Sequence, residues 1–108
     1  MEQQVETTDI IIIGAGPVGI FAVFEAGLLG LKCHLIDNLD RPGGQCTELY
    51  PEKPIFDIPS RPQVTGQELV DDLMTQASPF KPVFHLGQQA EALARQDNGH
   101  WRVTTTRG

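Results

Sequence analysis

Three glycines, Gly14, Gly16 and Gly19, stand at the spacing G-x-G-x-x-G within the stretch "DIIIIGAGPVGI". Glycine at the first position allows a tight exit from a strand. At the second, the missing Cβ lets the backbone approach a pyrophosphate. At the third, it lets a helix pack closely on the strand. Phosphates held in such a turn lie against the N–H groups and the positive dipole end of the following helix. Asp37 stands 18 positions after Gly19. A carboxylate there accepts hydrogen bonds from ribose hydroxyls and repels a 2′-phosphate, which favours FAD or NAD over NADP. The competing readings are a glycine turn without a ligand and a solvated charge at a strand end.

These residues need a β-α-β frame, and the sequence supplies one. Residues 9–13 form a short, continuous, β-branched run that reads as a buried parallel strand. Pro17 suits the first helical turn, where its missing N–H is no loss. Ile20, Phe21, Phe24 and Leu28 recur at helical spacing, and Glu25, the lone charge in that helix, is expected to be covered on most sides. Gly30 reads as the helix stop, and residues 31–36 as a second strand. Together they form the unit of a doubly wound, Rossmann-like parallel sheet.

Residues 38–63 carry five prolines and two glycines. A loop of this length in a compact domain is usually functional or disordered, and Tyr50 and Phe56 favour an ordered, functional one. Its glycine pair, Gly43 and Gly44, bears on the choice between FAD and NAD. An NAD site needs nothing special after the acidic residue. A second glycine stretch lets more backbone approach a ligand that runs on past the ribose, as FAD does, and Gln45 can offer amide hydrogen bonds to it. By physics alone the pair also fits an ordinary turn.

Beyond the loop, "TGQE" reads as a capping box with Thr65 as cap and Glu68 reaching back. Val64 and Leu69 sit at the staple positions. Leu69, Val70, Leu73, Met74 and Ala77 make one apolar face of a packing helix that Pro79 and Pro82 end. Residues 83–96 read as one or two strands, Asn98 and Gly99 as a hairpin turn, and residues 100–107 as a strand, so an antiparallel hairpin is added to the sheet.

Composition narrows the function classes. Eight Lys and Arg against fourteen Asp and Glu give a net charge of −6. That argues against nucleic acid or an anionic membrane surface as partner. The apolar runs are too short to span a bilayer, and the first nine residues are polar and acidic, unlike a signal sequence, so the expected location is the cytoplasm. The two cysteines, Cys33 and Cys46, form no C-x-x-C pair and suggest neither zinc nor a disulfide scaffold. Cys33 reads as buried and Cys46 as free. His34, His85 and His100 are scattered over strand-like segments and read as structural, so the sequence offers no catalytic or metal-ligating set.

The segments "IIIGAGPVGIFAVFEAGLLG", "RPGGQCTELYPEKPIFDIP" and "TGQELVDDL" together resemble the thioredoxin-reductase-like, or type 2, ferredoxin–NADP reductases. The second segment is the most specific. The resemblance implies a cytoplasmic, homodimeric flavoprotein that passes electrons between NADPH and ferredoxin or flavodoxin through FAD. It implies that Gly14, Gly16 and Gly19 line the pyrophosphate, Asp37 binds the adenosine ribose and Gln45 contacts the flavin half, with Pro17 and Gly44 also among the cofactor-binding residues. Tyr50 would lie against the isoalloxazine ring, although a tyrosine there also fits a packing role. Ala90 would meet the adenine end through its backbone.

Two departures qualify this. Relatives that reduce disulfides at the flavin carry C-x-x-x-x-C after the glycine pair, whereas Cys46 is followed five positions later by Pro51. Family members also continue into the rest of the FAD domain and a separate NADPH domain. Residues 1–108 are therefore expected to be the N-terminal part of an FAD domain, inactive alone. The alternatives are the FAD domain of a thioredoxin reductase, a non-catalytic nucleotide-binding module, and the NAD domain of a dehydrogenase.

Overall fold

The computed structural model describes residues 5–44, 49 and 51–108. Strand β1 (Ile10–Ile13) enters helix α1 (Pro17–Leu28), which returns to strand β2 (Cys33–Ile36). A short antiparallel pair follows, β3 (Pro54–Ile55) with β4 (Val64–Thr65). Then come helix α2 (Gly66–Ala77), a 3-10 turn (Ser78–Phe80) and strand β5 (Val83–His85). Strands β6 (Ala90–Arg95) and β7 (Trp101–Thr105) close the order as a separate antiparallel hairpin. The main sheet is parallel in the order β1-β2-β5. Two crossovers in the same direction put both helices on one face of it.

That face holds the core. Ile20, Val23 and Ala26 of α1 and Val70 and Ala77 of α2 are buried with Cys33 and Leu35 of β2. Ile10, Ile12 and Phe84 pack against them. The buried stripe of α1 is thus Ile20, Val23 and Ala26; Phe21 and Leu28 are exposed, and so is Glu25, which the sequence led us to expect covered. The reason is that α1 is apolar almost all round, so its period does not mark a face. Close approach then selects the small residues: a Cβ on Gly27 would clash with the Phe80 ring.

The opposite face of the sheet carries Ile11, Ile13, His34, Ile36, Val83 and His85, by strand alternation. Ile11 and Ile13 are 37% and 61% exposed, and Ile10 and Ile12 are half-buried, so β1 is covered on one face only among the described residues. The expected full burial of residues 9–13 is corrected accordingly.

The helix termini follow the sequence closely. Gly30, at φ 78°, ends α1. Its N–H donates to the Gly27 carbonyl and the Leu31 N–H to that of Ala26, at 2.9 and 3.0 Å, a Schellman pattern. At α2, the Glu68 N–H donates to Thr65 Oγ1 at 3.1 Å and the Thr65 N–H to Glu68 Oε1 at 2.9 Å. The backbone bond from Thr65, more than its side chain, holds the Glu68 carboxyl below its ordinary range. In the hairpin, Gly99 adopts φ 85° and its N–H donates to the Gln96 carbonyl at 3.0 Å. The turn is therefore a three-residue loop with glycine left-handed, rather than a two-residue one.

The reciprocal cap yields a stability prediction. Thr65→Ala lowers the unfolding free energy by about 1 kcal/mol at neutral pH, measured by urea denaturation. Because the folded Glu68 carboxyl is lowered, its share of the cap is complete above the ordinary glutamate range. That share fades as pH falls through the lowered folded value. The difference between wild type and a Glu68→Gln variant therefore narrows on acidification.

Candidate functional site

The carboxyl ends of β1, β2 and β5 point to one rim, where ligands of open α/β sheets bind. Backbone bonds join the three loops there. The Gly14 N–H donates to the Ile36 carbonyl at 2.8 Å, and the Asp37 N–H to that of His85 at 3.1 Å. The Gln88 N–H donates to the Asp37 carbonyl at 3.0 Å, and the Gly87 N–H to that of Leu39 at 2.8 Å.

Asp37 is the hub of this rim. It is half-buried. Its Oδ2 accepts the Ala15 N–H at 2.7 Å and its Oδ1 the Leu39 N–H at 2.9 Å. It is therefore held in place and is not a free charge at a strand end. A carboxylate has about four acceptor positions, so each oxygen retains capacity for a further donor such as a ribose hydroxyl.

The fingerprint glycines separate by role. Gly14 takes φ 110°, a conformation open to glycine. A Cβ on Gly19 would lie 2.1 Å from the Gly14 carbonyl oxygen, so this glycine serves helix-on-strand packing. A Cβ on Gly16 would meet nothing within 4 Å. The chain leaves that space open. Gly16 caps α1 without any side-chain hydrogen bond, and Pro17 occupies the first turn. The helix start is thus not capped by a side chain, as an anion-binding terminus requires.

The second glycine pair has a packing role that its spacing does not reveal. Gly43 and Gly44 take φ 117° and 56°. The Gly43 N–H donates to the Ala15 carbonyl at 2.7 Å, and a Cβ on Gly44 would come within 3.3 Å of Gly16 Cα. The pair lays the second loop directly on the first. Ala90 opens β6, two residues beyond the Gln88 that bonds Asp37. Gln45 and Tyr50 lie outside the described residues, as does Cys46. Phe56 is described and is 66% exposed.

Residues 12–76 match the model of the NAD(P)-binding Rossmann-like domain family. The chain belongs to that family. A ferredoxin–NADP reductase from Parvibaculum lavamentivorans is 57% identical over 108 residues, covering 100% of this chain and 32% of the relative. Ferredoxin–NADP reductase 1 from Christiangramia forsetii is 62% identical over 101 residues, covering 94% and 29%. Among solved structures, thioredoxin reductase from Streptococcus pyogenes superposes with a TM-score of 0.78 at 23% identity, covering 94% of this chain and 31% of that one. This last likeness supports the fold. The chain thus spans about a third of the length of the curated relatives it matches.

Two features outside the rim complete the description. Burial, and then the nearby Asp9 carboxylate, push the Cys33 thiol above its ordinary value, so it is a packing group rather than a nucleophile. His34 and His85, read from sequence as scattered, meet on the open sheet face with Nδ1 and Nε2 2.9 Å apart. Only the parallel register of β2 with β5 brings them together, and spacing carries no sign of it.

The two inner glycines differ in a measurable way. Gly19→Ala forces a Cβ onto backbone and costs about 2 kcal/mol of stability. Gly16→Ala, at an ordinary φ of −79° with open space around it, changes stability by less than about 1 kcal/mol. Urea unfolding of the two variants checks this, and the reverse order contradicts the assignment of roles.

Proposed function

We propose that this chain forms the adenosine and pyrophosphate half of the FAD site in a ferredoxin–NADP reductase of the thioredoxin-reductase-like type. The observation that carries the reading is the convergence of three strand-end loops on Asp37, beside a glycine turn whose middle Cβ position is open. Gly14, Gly16, Pro17 and Gly19 hold the pyrophosphate against the start of α1. Asp37 takes the ribose hydroxyls, and Gly44, laid on Gly16, continues the wall. Ala90 borders the adenine end through its backbone, and Gln45 and Tyr50 serve the flavin half. None of these residues is assigned a catalytic role, because in a flavoenzyme the protein binds and orients while the cofactor carries electrons. FAD, when bound, supplies the exchange of electrons between NADPH and a one-electron carrier such as ferredoxin or flavodoxin.

The relatives at 57% and 62% identity support ferredoxin–NADP reductase over the thioredoxin reductase alternative. The proline at position 51, where relatives that reduce disulfides at the flavin place a second cysteine, argues against that chemistry in this segment. On this reading residues 1–108 are the first part of an FAD domain and act within a longer, homodimeric, cytoplasmic protein. No helix among the described residues is long and apolar enough to cross a membrane.

The test is FAD affinity in the full-length protein. Asp37→Asn removes the charge and one acceptor and weakens FAD by about 1–3 kcal/mol, roughly 5- to 150-fold. Gly16→Ala, which leaves the fold intact, weakens it further by filling the phosphate position. Fluorescence titration of the apoprotein measures both. Unchanged FAD affinity in both folded variants, or a colourless wild type that takes up NAD but not FAD, contradicts the proposal.

A further inference from the structure

The open face of the sheet carries a side-chain group that the dinucleotide reading leaves unused. His34 of β2 and His85 of β5 lie diagonally across the parallel register in which His34 pairs with Val83 and Ile36 with His85. Their rings meet edge to edge through the facing nitrogens, with planes 25° apart and centroids 5.1 Å apart, and His34 Nδ1 is 2.9 Å from His85 Nε2. Glu6, from the segment leading into β1, brings Oε2 to 3.7 Å from that same Nε2. The three ligand atoms lie within 4.8 Å of one another. Both histidines are half-buried and Glu6 is exposed, so the group is accessible from solvent on one side.

From this geometry we infer that Glu6, His34 and His85 form a binding site for a divalent first-row metal ion, with zinc the best fit. Two neutral imidazoles and a carboxylate are an established zinc donor set. Zn–N bonds of about 2.0–2.1 Å at tetrahedral angles put two ligand nitrogens about 3.3 Å apart. The His34–His85 gap needs to open by a few tenths of an ångström, the Glu6–His85 gap to close by a similar amount, and Glu6, within 4.8 Å of His34, to move in toward it as well. Glu6 can make that change, because it sits in an exposed segment outside any strand. Three protein ligands leave the fourth position to water, which makes the ion exchangeable. Without metal, one of the facing ring nitrogens donates a proton to the other. With metal, the donating ring gives up that proton to solvent and takes one up on its far nitrogen, so both imidazoles stay neutral and both facing nitrogens present lone pairs to the ion.

The ion would join three chain segments: the approach to β1, the middle of β2 and the end of β5. The His85 carbonyl that accepts the Asp37 N–H belongs to this set. Metal binding would therefore brace the strand end that carries Asp37 from the opposite face of the sheet. This inference does not depend on the identity of the dinucleotide.

The experiment is cobalt(II) titration of the purified, EDTA-treated protein, followed by visible absorption. The expected result is one equivalent bound with the intense bands of a four-coordinate ion, displaced by one equivalent of zinc. His34→Gln and His85→Gln each weaken binding at least tenfold and Glu6→Gln several-fold, while His100→Gln changes nothing. Should the histidine variants fail to fold, proton NMR of the wild type decides. The His34 and His85 ring signals then shift on zinc addition and the His100 ring does not. A weak spectrum of hydrated cobalt with unmoved His34 and His85 rings overturns the inference. Undiminished binding in folded His34→Gln and His85→Gln does so as well.

Discussion

The rim of this sheet is organised by one residue that makes four hydrogen bonds. Asp37 gives its N–H to His85, accepts Gln88 on its carbonyl, and accepts Ala15 and Leu39 on its carboxylate. These bonds reach the loops after β1, β2 and β5. Backbone N–H groups in a tight glycine turn have few partners of their own. An ionised acceptor at the end of the next strand satisfies one of them and fixes where the turn sits. The side chain proposed to take the ribose thus also fixes the glycine turn relative to β2.

The glycine positions follow from that constraint. With Ala15 held against Asp37, the turn runs close over the strand end, and the first turn of α1 leaves no room for a Cβ on Gly19 beside the Gly14 carbonyl. Gly43 and Gly44 then close over the turn from the other side, in backbone conformations that side chains resist. Packing fills three sides of the turn and leaves the Gly16 position open. A site formed in this way is largely preorganised, because its polar groups are placed by the chain before any ligand arrives.

Much of this was legible in the sequence wherever a local rule has one physical cause. The Thr65 and Glu68 cap, the Gly30 stop and the fingerprint glycines each depend on residues a few positions apart. The Rossmann-like sheet followed from the order of those local pieces, and family resemblance carried the reading from a nucleotide turn to a flavoprotein. Features set by distant partners were not legible. Glu25 was expected to be covered because its helix is apolar, yet small residues on the other side of α1 won the contact with α2 and Phe80. β1 reads as buried on both faces, but both helices of this segment pack on one. The contact of Gly44 with Gly16 and the meeting of His34 with His85 depend on loop closure and strand register, which no spacing in the chain records.

The most direct test of the central claim is an amide NMR titration of the purified chain with ADP, which carries the adenosine and pyrophosphate without the flavin. The account predicts the largest shifts at Gly14, Ala15, Gly16, Leu39, Gly43 and Gln88, which border Asp37 and the glycine turn. The amides of Ile11, His34 and Val83 stay in place. Shifts centred on the open sheet face, or none at the glycine turn at saturating ADP, would contradict it.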